Sequence, residues 1–253
     1  FWDYIQFNEI PEGSPNIPVL RTWLSRHRWW WDEQLLPCAY VPLPASWDGY
    51  LKTLKPRMRT KVRYLIRKVD SRTDKVFDRC HKETDLLKRL QSLFDLHQSR
   101  WELLGRNGIF LNQNKRLFYE NLAHAFLSKG WLRLYSLQMS GQFVAHQFCF
   151  ERHGTMYLLQ EGFNKDYADE AVGNTLRALV FRDAIDRGVH TYDFLAGVTD
   201  HKLSWGAVEK YSVNFFIGRP TTWTISYFSG KRTFRLIKQF AKKRLVQMGI
   251  RRE

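Results

Sequence analysis

The chain has 253 residues, 44% apolar and 15% aromatic, which excludes a disordered polypeptide and is enough for one large domain or two small ones. Its formal charge of +15 is concentrated: residues 50–82 hold 12 Lys or Arg against 3 Asp, residues 219–253 hold 10 against Glu253 alone, and the remainder is slightly acidic. The longest apolar runs, such as 143–150, fall far short of the roughly 20 residues that cross a bilayer.

No signal-peptide pattern is present, and the chain opens at Phe1 in a stretch that reads as a strand, so an upstream segment of the same chain is expected. Cys38, Cys80 and Cys149 are far apart and form no Cys-x-x-Cys pair, which argues against a disulfide framework and a structural zinc site. No metal is expected, and a cytoplasmic, reducing location fits. Cys149, inside Gln147-Phe148-Cys149-Phe150, reads as a small buried hydrophobe rather than a nucleophile.

Residues 1–45 read as strand (4–10), short helix (19–26) and strand (39–43), punctuated by Pro11, Gly13, Pro15 and Pro18. From there Leu51, Leu54, Met58, Val62, Leu65 and Val69 recur at spacings of three and four, the stripe of an amphipathic helix. Pro56 interrupts it, which predicts a break near Lys55 and a main helix over 56–69. A second helix starts at Thr84 as N-cap and carries Leu86, Leu87, Leu90, Leu93, Phe94, His97 and Trp101; a third covers 117–127 and ends at Gly130.

The pattern then changes to alternation over 131–139, 143–151 and 156–160, with turns at Ser140-Gly141 and His153-Gly154, which predicts a three-stranded antiparallel meander. A loop (161–172), a helix (173–187, burying Leu176, Leu179, Val180 and Ala184) and a strand (190–195) follow as a β-α-β crossover. A strand at 213–217 closes the sheet, and a basic amphipathic helix at 231–248 buries Phe234, Ile237, Phe240, Ala241, Leu245 and Met248.

Three stretches share a pattern: Glu161-Gly162-Phe163-Asn164-Lys165-Asp166-Tyr167, then Gly173-Asn174-Thr175-Leu176, then Gly188 leading into Tyr192-Asp193-Phe194-Leu195. With Gly197, Lys202 and Ser204-Trp205-Gly206 they resemble the FemAB/CelD-like branch of the GNAT acyltransferase superfamily, and the basic stretch from Arg57 to Arg63 resembles the Arg-rich helix that opens that domain. The resemblance covers roughly residues 50–218. It implies a mixed α/β (α+β) GNAT-like fold with a central, mostly antiparallel sheet, a β-α-β crossover and flanking helices. Residues 1–45 would be the tail of a preceding GNAT-like half, 46–220 the acyltransferase domain and 221–253 a basic extension.

The resemblance further implies acyl-CoA (acetyl-CoA) as co-substrate, its pantetheine arm along the strand bearing Tyr157 and Leu159 and its phosphates at the helix start formed by Val172, Gly173 and Asn174. The loop before that helix, Asp169-Glu170-Ala171, departs from the family's usual basic or Gln-bearing loop, and its carboxylates oppose a pyrophosphate. His146 and Glu161 are candidate bases, each weighed against a structural role. Asp193, a carboxylate in an apolar strand, either orients a site group or makes a structural hydrogen bond. Lys202 matches the Lys that the family assigns to the catalytic centre, where a cation stabilises an oxyanion or an acceptor phosphate; the plain alternative is a surface Lys paired with Asp200 or Glu209.

Arg59, Arg63 and Arg67 on the basic helix point to an anionic partner: a small-molecule or lipid-linked acceptor, an anionic membrane surface, or tRNA, with tRNA disfavoured by the lack of a stacking platform. Three functions stay open. The first is transfer from acyl-CoA to an amine or hydroxyl of an envelope sugar, lipid-linked precursor or related metabolite, at the inner face of a bacterial membrane or in the cytosol, as in polysaccharide biosynthesis. The second is FemAB-like aminoacyl transfer from aminoacyl-tRNA. The third is a non-catalytic GNAT-like module that binds RNA or membrane.

Overall fold

In chain order, the computed structural model contains β1 (Tyr4–Pro11), α1 (Asn16–Arg26), β2 (Trp30–Pro42), α2 (Trp47–Thr53), α3 (Pro56–Asp70), β3 (Lys75–Arg79), α4 (Glu83–Leu103) and α5 (Gln113–Ser128). These are followed by β4 (Leu132–Met139), β5 (Gln142–Arg152), β6 (Thr155–Phe163), α6 (Val172–Asp186), β7 (Thr191–Ala196), α7 (Asp200–Ser204) and β8 (Val208–Gly218). It describes residues 2–103 and 105–219 and isolated positions between 221 and 233. The helix expected over 231–248 lies outside the described residues.

The chain forms two units, and the smaller one combines residues up to Pro37 with residues from Lys210 onward. Within it β1 pairs antiparallel with β8, from Tyr4↔Gly218 to Pro11↔Ser212, with an irregularity between Phe7 and Ile10. Ile17 and Leu24 of α1 are buried with Val213, Phe215 and Ile217 of β8.

The larger unit, Cys38–Glu209, holds the family-like motifs. The meander appears where alternation predicts it: β3, β4, β5 and β6 pair antiparallel in sequence. β3, which the sequence reading left out, is short and edges the sheet. β7 pairs parallel with β6 and antiparallel with the end of β2, from Cys38 to Pro42. A parallel neighbour needs a crossover, and α6 supplies it.

Each face of this sheet has its own core. On one, Tyr135, Leu137, Ala145, Cys149 and Met156 pack with Val62, Ile66 and Val69 of α3 and with Leu176, Leu179 and Val180 of α6. On the other, Leu132, Leu134 and Phe148 pack with Leu86, Leu90, Leu93 and Phe94 of α4 and with Tyr119 and Ala123 of α5. Cys149 is fully buried, and that burial pushes its thiol pKa up, as befits a packing residue. Among the described residues no helix is long and apolar enough to cross a membrane.

Two helix starts repay comparison with the expectations. The break near Lys55 is real: α2 ends at Thr53, Lys55 is extended and Pro56 occupies the first turn of α3, where its missing N–H costs nothing. Thr84, expected as an N-cap, is instead the second residue of α4.

Gly162 fixes how closely α4 approaches β6. A Cβ there would lie 2.7 Å from the His97 backbone N and 3.0 Å from the Leu93 carbonyl oxygen, and neither backbone atom can step aside. The glycine in Glu161-Gly162-Phe163 is therefore a packing requirement. Gly162→Ala is expected to cost about 1–3 kcal/mol of stability in denaturant melts, by forcing strand and helix apart.

Candidate active site

The ladder between β6 and β7 runs only from Thr155↔Thr191 to Tyr157↔Asp193. Both strands continue beyond it, β6 to Phe163 and β7 to Ala196, and the space that opens is a cleft of about 790 Å³. Leu158, Glu161 and Phe163 of β6 and Phe194 of β7 line it. The first turn of α6 (Val172, Gly173, Asn174) and Arg177 line it as well, together with Lys61 of α3, Arg100 of α4, and His201 and Lys202 of α7. Gly173 admits the Phe163 ring, whose edge lies 2.9 Å from where a Cβ would stand.

Arg177 is 3% exposed, on a helix most of whose residues from Val172 to Ile185 are buried. Its Nη2 donates to Glu161 Oε2, while its guanidinium lies over the rings of Phe194 (5.2 Å) and Trp205 (5.5 Å). Glu161 also meets Arg100 Nη1 at 3.5 Å and accepts from Gln147 Nε2 at 3.3 Å. Gln147 in turn accepts from the buried Tyr192 hydroxyl at 3.0 Å. Burial alone would raise the Glu161 carboxyl, but Arg177 and Arg100 outweigh it and hold it below the ordinary carboxylate range. Glu161 is thus a fixed anion, and its oxygens are committed to cations and an amide.

Lys202 spends its ammonium on three backbone carbonyls, those of Phe194 (3.2 Å), Ala196 (2.8 Å) and Gly197 (2.7 Å). Burial lowers its pKa. α7, unforeseen from the sequence, begins with Thr199 capping the Lys202 N–H and presents His201 to the cleft. His201 Nε2 lies 3.1 Å from Asn174 Oδ1, and Arg177 Nη1 approaches the ring at 3.2–3.5 Å. Burial, then Arg177, with Lys61 and Arg100 adding to it, pushes His201 down to about 4, so the ring is neutral near pH 7.

Of the residues singled out from sequence, Glu161, Lys202, Val172, Gly173 and Asn174 meet in this cleft. Several others do not. His146 is fully buried on the opposite face of β5, where its ring contacts Ser136 Oγ (2.9 Å) and Ser92 Oγ of α4 (3.0 Å); strand alternation gives the cleft-side place to Gln147 instead. Alternation also turns Tyr157 and Leu159 away: Tyr157 stacks on Phe150, Leu159 joins the α4 core, and Leu158 faces the cleft. Asp193 is buried and accepts from the Leu195 N–H at 2.8 Å, bracing a left-handed residue.

On α3, Arg59 donates through Nη2 to the carbonyls of Lys52 and Leu54 (both 3.0 Å), closing the end of α2, and is not among the cleft's described lining residues. Arg63 and Arg67 are exposed but are not among the cleft's described lining residues; Lys61 is. Lys68 of α3 pairs with Glu170 at 2.9 Å and Arg72, just after α3, reaches the same carboxylate at 3.7 Å, so Glu170 of the acidic loop is neutralised. Among the described residues no group of His, Cys, Asp and Glu could hold a metal.

Residues 56–203 match the family model described as an acetyltransferase (GNAT) domain, and the chain belongs to that family. Its fold is similar to the crystal structure of FemX, with a TM-score of 0.63 at 11% identity, over 85% of this chain and 71% of that one. It is also similar to the structure of L-PGS from Bacillus licheniformis, with a TM-score of 0.53 at 13% identity, over 90% and 72%. A third is the C-terminal domain of a predicted lysylphosphatidylglycerol synthetase from Agrobacterium fabrum, with a TM-score of 0.55 at 10% identity, over 89% and 71%. None of the curated proteins compared matches the chain.

Two measurements follow from the buried charges. Glu161→Gln leaves Arg177 buried without its counter-ion and is expected to cost about 3–5 kcal/mol; Arg177→Met in the same chain should recover part of that loss, read as a coupling energy in a double-mutant cycle. His146 is pushed down to about 3 by burial and by Arg89. Unfolded, it protonates near 6.5, so the unfolded state binds the extra proton between those values and stability falls as pH drops from about 6.5 toward 3. The wild type should lose on the order of 4 kcal/mol more across that window than His146→Gln, measured by urea unfolding at each pH.

Proposed function

We propose that the protein is an acyltransferase that moves an acyl group from an acyl-CoA thioester to an amine or hydroxyl of an anionic acceptor, an envelope sugar, lipid-linked precursor or related metabolite. The observation that carries the reading is the parting of β6 and β7 beyond Tyr157 and Asp193, with the first turn of α6 opening into the same cleft. Strand backbone beyond the ladder has hydrogen-bonding groups to offer an amide-bearing pantetheine arm. The first-turn N–H groups of α6 have no intrahelical acceptor, and Ala171 supplies no side-chain cap, so a pyrophosphate has donors there. Pairing of Glu170 with Lys68 and Arg72 weakens the objection that the acidic loop repels phosphate.

In the reaction the nucleophile's lone pair attacks the thioester carbonyl, the new C–N or C–O bond forms, and the C–S bond breaks as the thiolate leaves. Glu161 and Arg177 hold the cleft floor in one geometry. Lys61 and Arg100 give the cleft a net positive field that favours anionic ligands.

Aminoacyl transfer from aminoacyl-tRNA is the second reading. The fold likeness to FemX and to L-PGS, together with the exposed Arg57, Arg63, Tyr64 and Arg67 on α3, favours it. Thermal unfolding with acetyl-CoA or bulk tRNA separates the two. Acetyl-CoA at about 100 times its dissociation constant is expected to raise the melting temperature by roughly 5–10 °C. A rise with tRNA and none with acetyl-CoA would transfer the proposal to the second reading, and no rise with either would reject both.

A further inference from the structure

The smaller unit does not spend all of its aromatic side chains on its core. α1 turns Ile17 and Leu24 inward, yet it leaves Val19 69% and Trp23 45% exposed. Trp23 stacks on His27 with ring centroids 4.3 Å apart and lies 5.6 Å from Trp29, which in turn stacks on the exposed Trp2 at 5.3 Å. A ribbon of rings thus runs across one surface of the unit, and a shallow groove of about 390 Å³ lies along it, between Pro18, Val19, Trp23 and Arg26.

The charge around the ribbon is mostly positive. Arg219 lies over the Trp2 ring at 5.7 Å, and Arg26 and Arg28 are exposed with no ion pair among the described residues. Asp3, next to Trp2, is one acid against these three cations. Arg28 also occupies a position that its backbone disfavours. Its N–H donates to the Ser25 carbonyl at 3.2 Å and the Trp29 N–H donates to the Leu24 carbonyl at 3.1 Å, which closes α1 in a Schellman motif. Arg28 takes the left-handed place in that motif, with φ 54°, where glycine is the residue free of strain. What an arginine supplies there is an outward charge beside the rings.

We propose that this surface docks on an anionic lipid bilayer, with Trp2, Trp23 and Val19 entering the headgroup layer and Arg26, Arg28 and Arg219 meeting lipid phosphates. Indole rings prefer that layer because one edge is apolar and the N–H is wet, and basic side chains beside them add attraction to anionic headgroups. Charge selects the occupant. A second copy of the same surface would set cation against cation, and the chain beyond Arg219, with nine further Lys or Arg against Glu253, is repelled for the same reason. Rings stacked on one another leave little face for nucleobases, which disfavours RNA.

Flotation with lipid vesicles tests the proposal, which stands apart from the acyl-transfer reading. The wild type is expected to float with vesicles of phosphatidylcholine and phosphatidylglycerol and to stay behind with phosphatidylcholine alone. Arg26→Gln/Arg28→Gly is expected to lower the partition coefficient about 25-fold, roughly fivefold for each arginine. Its melting temperature should hold or rise, because glycine suits the Schellman position, so lost binding cannot be ascribed to lost folding. Trp23→Gln should weaken binding further at high salt, where the charges are screened. A wild type that floats with neither vesicle overturns the proposal, as does a double variant that floats as well as the wild type. Single-stranded RNA bound in place of vesicles, or self-association that the double variant abolishes, would assign the surface to another partner and overturn it as well.

Discussion

A guanidinium only 3% exposed, among the apolar residues Leu176 and Ala178 to Phe181, is the constraint from which the rest of the site follows. Taking Arg177 out of water costs several kcal/mol, which a counter-ion at contact distance offsets in part, and its Nε stays buried without a hydrogen-bond partner. Glu161 answers the charge from β6, Phe194 and Trp205 offer ring faces, and His201 meets Nη1 from α7. Elements distant in sequence are thus tied to one side chain. An uncharged residue of the same volume would pack at least as well. Keeping a charge there fixes where the acid and the imidazole stand.

The same arrangement depends on two close approaches that only glycine permits. Gly162 lets α4 lie against β6, which brings Arg100 to the cleft and sets the Phe163 ring under it at 5.1 Å. Gly173 lets Phe163 sit against the first turn of α6. A side chain at either place would move a strand or a helix by a few tenths of an ångström, in a cleft whose contacts are near 3 Å. The cleft is therefore set by backbone proximity as much as by the polar groups displayed in it.

Periodicity made most of the larger unit legible. Alternation located β4, β5 and β6 within one to three residues, and the spacing of three and four located α3 together with its break at Lys55. The short β3 escaped because five residues with three charges carry little alternation, and α7 because one helical turn has no period to detect. The site was harder. His146 was chosen for residue type and nearness in sequence, but a strand sends neighbouring side chains to opposite faces, and the choice between His146 and Gln147 turned on one residue. Arg177 was missed although it left a signal: a lone cation in Leu176-Arg177-Ala178-Leu179-Val180-Phe181, where every neighbour is apolar, marks a charge that cannot reach water and so needs a partner. The grouping of both chain ends into one unit left no local pattern to read.

The Lys-x-x-Trp-Gly motif carries the last step. Lys202 gathers the carbonyls of Phe194, Ala196 and Gly197, at the end of a strand that keeps β2 on one side and has lost β6 beyond Asp193 on the other. Trp205, fully buried, places its ring near the Arg177 guanidinium and gives its carbonyl to the Tyr50 hydroxyl at 3.0 Å, and Gly206 turns the chain away at a positive φ of 80°. Between these anchors α7 has one short turn in which to place a side chain, and His201 is the one it sets over Asn174 and Arg177. Where β6 and β7 part, the orphaned carbonyls of β7 need a cation, and the helix that supplies it also delivers an imidazole to the space the strands leave open. The lysine that the resemblance assigns to the catalytic centre thus lines the cleft while it holds three backbone carbonyls, with the imidazole of His201 beside it.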